Sequence, residues 1–227
     1  MYRTVIFDLD GTLLDTLDDL RNAVNRALLA FGFPPRTREE IRSFVGNGVE
    51  FLMARAIPGG REAVAYPACL AYFKEEYAAH CEDCTKPYPG VIQLLTALRE
   101  AGIQTAIVSN KFDLGVKKLN RQYFGDLIPV AVGEHEADGV RRKPAPDTVF
   151  EAMHLLGADP ATAVYVGDSD VDLQTAANAH IPCVSVSWGF RTVEELTAAG
   201  ATEIVGDMEA LGEALGLVSP APTAWGL

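Results

Sequence analysis

Residues able to do chemistry punctuate this chain at the ends of short apolar runs. "VIFDLDGT" places Asp8 and Asp10 directly after Thr4–Phe7, and "IVSNK" places Ser109, Asn110 and Lys111 after Gln104–Val108. "VGDSDVD" places Asp168, Asp170 and Asp172 after Ala163–Val166, while Lys143 of "RRKPAPD" lies in the loop beyond Pro129–Val132. Taken singly, Ser109 or Asp168 reads equally well as a helix cap. Taken together, carboxylates without a neutralising partner would repel strongly in a low-dielectric site. A divalent cation held by Asp8 and Asp168 removes that repulsion. An oxygen-only donor set, with no converging His or Cys, favours magnesium over zinc. Magnesium beside a carboxylate, a hydroxyl and a lysine suits phosphoryl transfer, where catalysis is mostly positioning and charge neutralisation. An aspartate can itself be the nucleophile, through an aspartyl-phosphate. The formal net charge is −12, so the attraction for a phosphate must be local, from magnesium, Lys143 and Lys111.

The elements that must position these groups follow from patterning. Near-continuous apolar runs at Thr4–Phe7, Gln104–Val108, Pro129–Val132, Ala163–Val166 and Cys183–Val186, with a weaker one at Glu203–Val205, alternate with helix-period sequence. That rhythm predicts an α/β fold, a doubly wound parallel sheet, whose ligands bind at the carboxyl ends of the strands. In "GVIQLLTALREAG", Val91, Leu94, Leu95 and Leu98 share one helix face and Gly102 stands at the C′ position. One interval breaks the rhythm. Residues 15–85 read mostly as helix, with Leu17, Leu20, Val24, Ala27, Leu28 and Phe31 at helical spacing and capping boxes expected at Thr16/Asp19 and Thr37/Glu40. The expected organisation is therefore a core of residues 1–14 and 86–217, an all-helical insertion of 15–85, and a mobile tail at 218–227.

Composition narrows the function classes. Hydrophobic residues make up 48% and charged residues 22%, ordinary for a soluble globular protein. No apolar stretch approaches the roughly 18–20 residues of a membrane span. The acidic balance argues against nucleic-acid or anionic-membrane partners. A strand-like start without a basic segment and cleavage site points to the cytoplasm. His80, Cys81 and Cys84 lack the further convergent ligands of a zinc site, so reduced thiols are expected. No apolar helix face stands out as an oligomer interface.

"DLDGT", "VSNK", "KPAPD" and "GDSDVD" resemble, in order and spacing, the four motifs of the haloacid dehalogenase-like (HAD) superfamily, and the helical insertion resembles its small cap domain. The resemblance implies that Asp8 is the nucleophile and that Asp10 protonates the leaving oxygen and then activates water. It implies that Ser109 and Lys143 hold the phosphoryl oxygens, and that Mg2+ is bound by Asp8, Asp168 and the backbone carbonyl of Asp10. Asp172 would support Lys143 or the metal shell, and Asp170 would supply helix N-terminal charge. Thr12, Asn110 and Lys111 join the substrate-binding set. Branches that cleave carbon–halogen bonds lack the acid equivalent to Asp10, and the phosphonatase branch needs a cap lysine that residues 1–73 do not contain.

Within the phosphatases, "FVGNGVEFLMARA" resembles the cap segment of phosphoglycolate phosphatases. Gly46 and Gly48 would let backbone N–H groups approach a ligand, with Asn47 between them; a simple helix–helix turn is the alternative. Two features depart from the family pattern: His180 stands where glycine is frequent, and Arg141 and Arg142 are either solvated charges or steering groups. Arg191 of "WGFRT" is a further substrate-contact candidate. The expected activity is hydrolysis of a small phosphorylated metabolite, 2-phosphoglycolate first among candidates. A β-phosphoglucomutase-like mutase or a pyrophosphatase on the same scaffold is the nearer rival, and a phospho-acceptor signalling module the remote one.

Overall fold

A computed structural model describes residues 1–217; the expected tail at 218–227 lies outside the described residues. The chain opens with β1 (Thr4–Phe7) and the two-residue β2 (Leu14–Asp15). Four helices follow, α1 (Leu17–Ala30), α2 (Arg38–Phe44), α3 (Val49–Ala56) and α4 (Tyr66–His80). After β3 (Lys86–Pro87), helices and strands alternate: α5 (Val91–Glu100), β4 (Gln104–Phe112), α6 (Asp113–Tyr123), β5 (Val130–Glu134) and α7 (Asp147–Leu156). The series ends with β6 (Ala163–Gly167), α8 (Asp170–Asn178), β7 (Cys183–Val186), α9 (Val193–Ala198), β8 (Ile204–Val205) and α10 (Met208–Ala214). Two compact units result, Met1–Leu14 with Pro87 onward, and Asp15–Lys86.

The first unit is a doubly wound α/β fold. Its sheet has six parallel strands in the order β5-β4-β1-β6-β7-β8, and all six apolar runs of the sequence supply a strand. Period-two alternation divides β1 between two apolar layers. Val5 and Phe7 pack with Leu94, Leu98, Val116 and Leu211, whereas Ile6 packs with Val149, Ala152 and Ala176. All four residues of β1 are buried, and each large apolar side chain so enclosed contributes roughly 1.5–3 kcal/mol. On α5 the buried residues are Val91, Leu94, Leu95 and Leu98. Gly102 ends that helix at φ +71°, with Ile103 N–H closing onto the Leu98 carbonyl at 2.9 Å.

The second unit is helical apart from the strand residues Asp15 and Lys86 at its two ends. Leu17, Leu20, Ala23, Val24, Ala27 and Leu28 form the buried face of α1, and α4 buries Cys69, Phe73 and Tyr77. The capping box at Thr37/Glu40 is present. The one expected at Thr16/Asp19 is not: the Thr16 side chain makes no capping bond. The Asp19 carboxylate instead accepts from the backbone N–H groups of Cys84 (2.9 and 3.1 Å) and Thr85 (2.8 Å). A tertiary acceptor role for a buried carboxylate, binding two otherwise orphaned donors, outweighs the local cap. All four cysteines are free thiols, and His80 pairs with Asp83 at 2.9 Å. No helix among the described residues is long and apolar enough to cross a membrane.

Candidate active site

Strand order places the site. β1 lies between β4 and β6, and the chain crosses first to one neighbour and later to the other, which opens a crevice at the carboxyl end of β1. Phe7 is in register with both Ile107 and Val166, so Asp8, Ser109 and Asp168 emerge at the same end of three adjacent strands. Gly11 then turns the chain at φ +93°, and a Cβ there would lie 2.5 Å from Asp168 Oδ2. Gly189 and Gly167 are equally confined. A Cβ on Gly189 would meet Asp168 Cβ and Oδ2 at 2.4 Å, and one on Gly167 would meet Asp172 Cβ and Cγ at 2.4 Å.

Lys143 is the centre of the arrangement. Its buried ammonium donates to Asp8 Oδ1 at 2.7 Å, Asp172 Oδ1 at 2.8 Å and the Tyr165 hydroxyl at 3.1 Å, which uses all three of its donors. Tyr165 in turn donates to Asp172 Oδ1 at 3.1 Å. Asp172 Oδ2 accepts from the Ser169 N–H at 3.1 Å and the Ser169 hydroxyl at 2.6 Å. Asp168 accepts from the Thr12 hydroxyl (3.1 Å) on one oxygen and from the Phe190 N–H (2.6 Å) on the other.

Asp8, Asp168 and Asp172 are the one group of metal-capable side chains found among the described residues, with ligand atoms within 4.8 Å of one another. A carboxylate has about four lone-pair positions. Asp172 already accepts four hydrogen bonds, so it serves Lys143 and the Ser169 cap. Asp168 accepts two and Asp8 accepts one from Lys143, which leaves both able to hold a cation. Of the four carboxylates Asp8, Asp10, Asp168 and Asp172, three pair with the two ammonium groups at 2.7–3.0 Å, Asp10 with Lys111 and both Asp8 and Asp172 with Lys143, while Asp168 is bonded to Thr12 and Phe190. The difference is the charge of one divalent ion, and all-oxygen donors fit a hard cation such as magnesium.

Burial raises Asp8 well above the ordinary carboxylate range, with Lys143 opposing and Asp172 and Asp168 reinforcing the rise. Asp168 is pushed up to about 7 by burial and by Asp172, against the hydrogen bonds from Phe190 and Thr12. For Lys143 burial disfavours the charge, but Asp172 and Asp8 outweigh it and hold the ammonium well above its usual value. These shifts mark a site whose carboxylates are held for a positive partner.

The other expected residues divide. Thr12 is bonded to Asp168, Asn110 Nδ2 donates to the Lys143 carbonyl at 3.0 Å, and Lys111 Nζ lies 3.0 Å from Asp10 Oδ1. The side chains expected to face substrate thus also tie the site together. The Ser109 hydroxyl accepts from the Lys111 N–H at 3.2 Å. Gly46, Asn47 and Gly48 belong to the helical unit, between α2 and α3, where Gly46 has φ +125° and Gly48 caps α3 at φ +85°. Arg141 clamps Asp147 at 2.7 and 2.9 Å, and Arg142 lies 3.7 Å from Glu136. Arg191 meets Asp170 at 3.2 Å. Sequence reasoning missed Tyr165, Ser169 and the Gly189-Phe190 backbone. Ser169 was legible, since Ser-x-x-Asp spells a capping box, whereas a strand tyrosine and a loop N–H carry no signal.

The Haloacid dehalogenase-like hydrolase family model matches residues 5–186. A phosphoglycolate phosphatase of Pseudomonas putida is 35% identical over 216 residues, spanning 92% of this chain and 78% of that one. A phosphoglycolate phosphatase 1 of Pseudomonas aeruginosa is 33% identical over 225 residues, with the same coverage, 92% and 78%. A solved structure from Lactobacillus delbrueckii subsp. bulgaricus, assigned provisionally as a phosphoglycolate phosphatase, superposes with a TM-score of 0.90 at 38% identity, covering 94% of this chain and 98% of its own. With the four motif segments gathered at one sheet edge and the family model spanning most of its length, this chain belongs to the haloacid dehalogenase-like hydrolases.

Proposed function

We propose that this protein is a magnesium-dependent phosphoric monoester hydrolase acting on a small phosphorylated metabolite through an aspartyl-phosphate, with 2-phosphoglycolate the leading substrate. The observation that carries this reading is the Lys143 bridge, which fixes Asp8 at the crevice beside Asp168 while Asp172 is saturated elsewhere. Similarity to the Pseudomonas phosphoglycolate phosphatases supports the substrate.

Asp8 attacks phosphorus, with Lys143 orienting its carboxylate. The ester P–O bond breaks, its electron pair stays on the departing oxygen, and Asp10 supplies the proton. Asp10, now ionised, takes a proton from the water that hydrolyses the acyl phosphate and so regenerates Asp8. The Ser109 hydroxyl donates to a phosphoryl oxygen. Asp8, Asp168 and the Asp10 carbonyl would hold magnesium, which offsets the charge building on the phosphoryl oxygens.

A panel of phosphorylated metabolites, ranked by kcat/KM with and without magnesium, tests the reading. It requires phosphate release that depends on magnesium, is highest for 2-phosphoglycolate, and is lost in Asp8→Asn. Turnover surviving in Asp8→Asn overturns the mechanism. A higher kcat/KM on another metabolite overturns the substrate, and isomerised hexose phosphate in place of free phosphate establishes the mutase.

A further inference from the structure

We infer that Lys111 is a positioning residue for the acid–base carboxylate: it holds Asp10 in line with the departing oxygen rather than binding the phosphoryl group. The inference rests on the phosphatase reading. Lys111 and Asp10 are 101 positions apart in sequence, and the Lys111 ammonium lies 3.0 Å from Asp10 Oδ1. The lysine side chain is 3% exposed and that of Asp10 is 15% exposed. The ammonium can donate to Oδ1 whether or not the carboxyl carries a proton, which leaves Oδ2 to hold the proton, and a buried ammonium parted from its acceptor keeps its desolvation cost, so the pair stays together. Lys143 does not share this duty, because its three donors are taken by Asp8, Asp172 and Tyr165.

The backbone aims the lysine. The register of β4 against β5 shifts between Val108 and Phe112, the stretch that contains Lys111. Within it the Lys111 N–H donates to the Ser109 hydroxyl at 3.2 Å. On the other side, Gly133 leaves the space that Lys111 needs: a Cβ there would lie 2.7 Å from the Lys111 carbonyl oxygen and 2.4 Å from Asp113 Cα. The Gly133 N–H also bonds Asp113 Oδ1 at 3.0 Å. Asp10 stands on an equally fixed loop, with the Gly11 N–H bonded to the Leu14 carbonyl at 2.9 Å. The charge contact therefore joins two rigid pieces, which suits orientation of one carboxylate.

The test separates the two roles of a lysine by leaving group. A plain alkyl phosphate needs its departing oxygen protonated, whereas p-nitrophenyl phosphate expels a stable phenolate that needs little help. For Lys111→Met we expect kcat/KM on ethyl phosphate to fall roughly 100-fold and on p-nitrophenyl phosphate by about 3-fold or less, with Lys111→Arg recovering part of the alkyl activity. If Lys111→Met unfolds at assay temperature, Lys111→Gln, which keeps a donor without the charge, is expected to show the same inequality. Equal losses on the two esters overturn the inference, because a phosphoryl-binding lysine or a general structural role touches both substrates alike. An unchanged kcat/KM on both also overturns it. Failure of the unmutated protein to hydrolyse either ester overturns the underlying phosphatase reading, and is told apart because no variant is involved.

Discussion

Replacing Lys143 by methionine keeps an unbranched side chain of nearly the same length but removes the charge at the centre of the site. Three hydrogen bonds of 2.7, 2.8 and 3.1 Å disappear, and Asp8 and Asp172, both buried, lose their common counter-charge. Breaking a buried ion pair by removing one partner costs about 3–5 kcal/mol, because the charge left behind keeps its desolvation penalty without compensation. For a chain of this size about 1 kcal/mol corresponds to roughly 2–4 °C in Tm, so the metal-free variant should melt roughly 6–20 °C below the parent. Scanning calorimetry in chelator, with circular dichroism as a second probe, measures the difference. A second substitution identifies the cause. Asp172→Asn in the Lys143→Met background removes one stranded charge, so the double variant should be more stable than Lys143→Met alone. A Tm within about 2 °C of the parent for Lys143→Met, or a double variant whose losses simply add, refutes the charge argument.

Three further outcomes follow from the same geometry. Asp168, pushed up to about 7 when no cation is present, is protonated in the folded state at pH values where the unfolded chain is ionised. Its contribution to metal-free stability is thus complete below about pH 4 and lost as pH rises through about 7, while a cation favours the ionised form. Magnesium should accordingly bind roughly 30-fold more weakly at pH 5.5 than at pH 8, with a smaller rise in Tm; equal affinity at both pH values by titration calorimetry contradicts this. Gly189→Ala would set a Cβ 2.4 Å from Asp168 Cβ and Oδ2 and push the carboxylate off the Phe190 N–H, so magnesium affinity should fall at least about 10-fold by the same measurement, and an unchanged affinity would show that the loop gives way instead. His180→Gly should raise Tm by about 1–2 °C, since a left-handed conformation costs a non-glycine residue about 1–2 kcal/mol and glycine returns only part of this through chain entropy; a lower Tm would mean that the imidazole makes a contact worth more than the strain.

His180 also illustrates how far the sequence could be read. It stands where glycine was expected, and the structure gives it φ +58°, so the family pattern pointed to a real backbone demand that this chain meets with a different residue. The strands were legible because a sheet covered on both faces leaves a continuous apolar run, as in Thr4–Phe7. The gathering of Asp8, Ser109 and Asp168 followed from topology, since parallel strands deliver their ends to one edge. What escaped was long-range polar pairing. Asp19 reads as half of a local cap, yet its carboxylate binds the N–H groups of residues 84 and 85, a contact that no local pattern encodes. Tyr165 looks like an ordinary aromatic strand residue, and only the neighbouring Lys143 and Asp172 give its hydroxyl a purpose. The pairing of Lys111 with Asp10 is of the same kind: two charged residues whose meeting is set by strand register and a shifted ladder.

The proposed mechanism requires Asp8 to become covalently phosphorylated during turnover. Rapid acid quench of the magnesium-loaded enzyme with p-nitrophenyl phosphate, followed by mass spectrometry of the peptide bearing residues 8 and 10, measures this directly. The expected result is one added phosphoryl group assigned to Asp8, more abundant in Asp10→Asn, which lacks the base for the second step, and absent in Asp8→Asn. Steady phosphate release with no phosphoryl group on that peptide in either the parent or Asp10→Asn would contradict the nucleophilic role of Asp8.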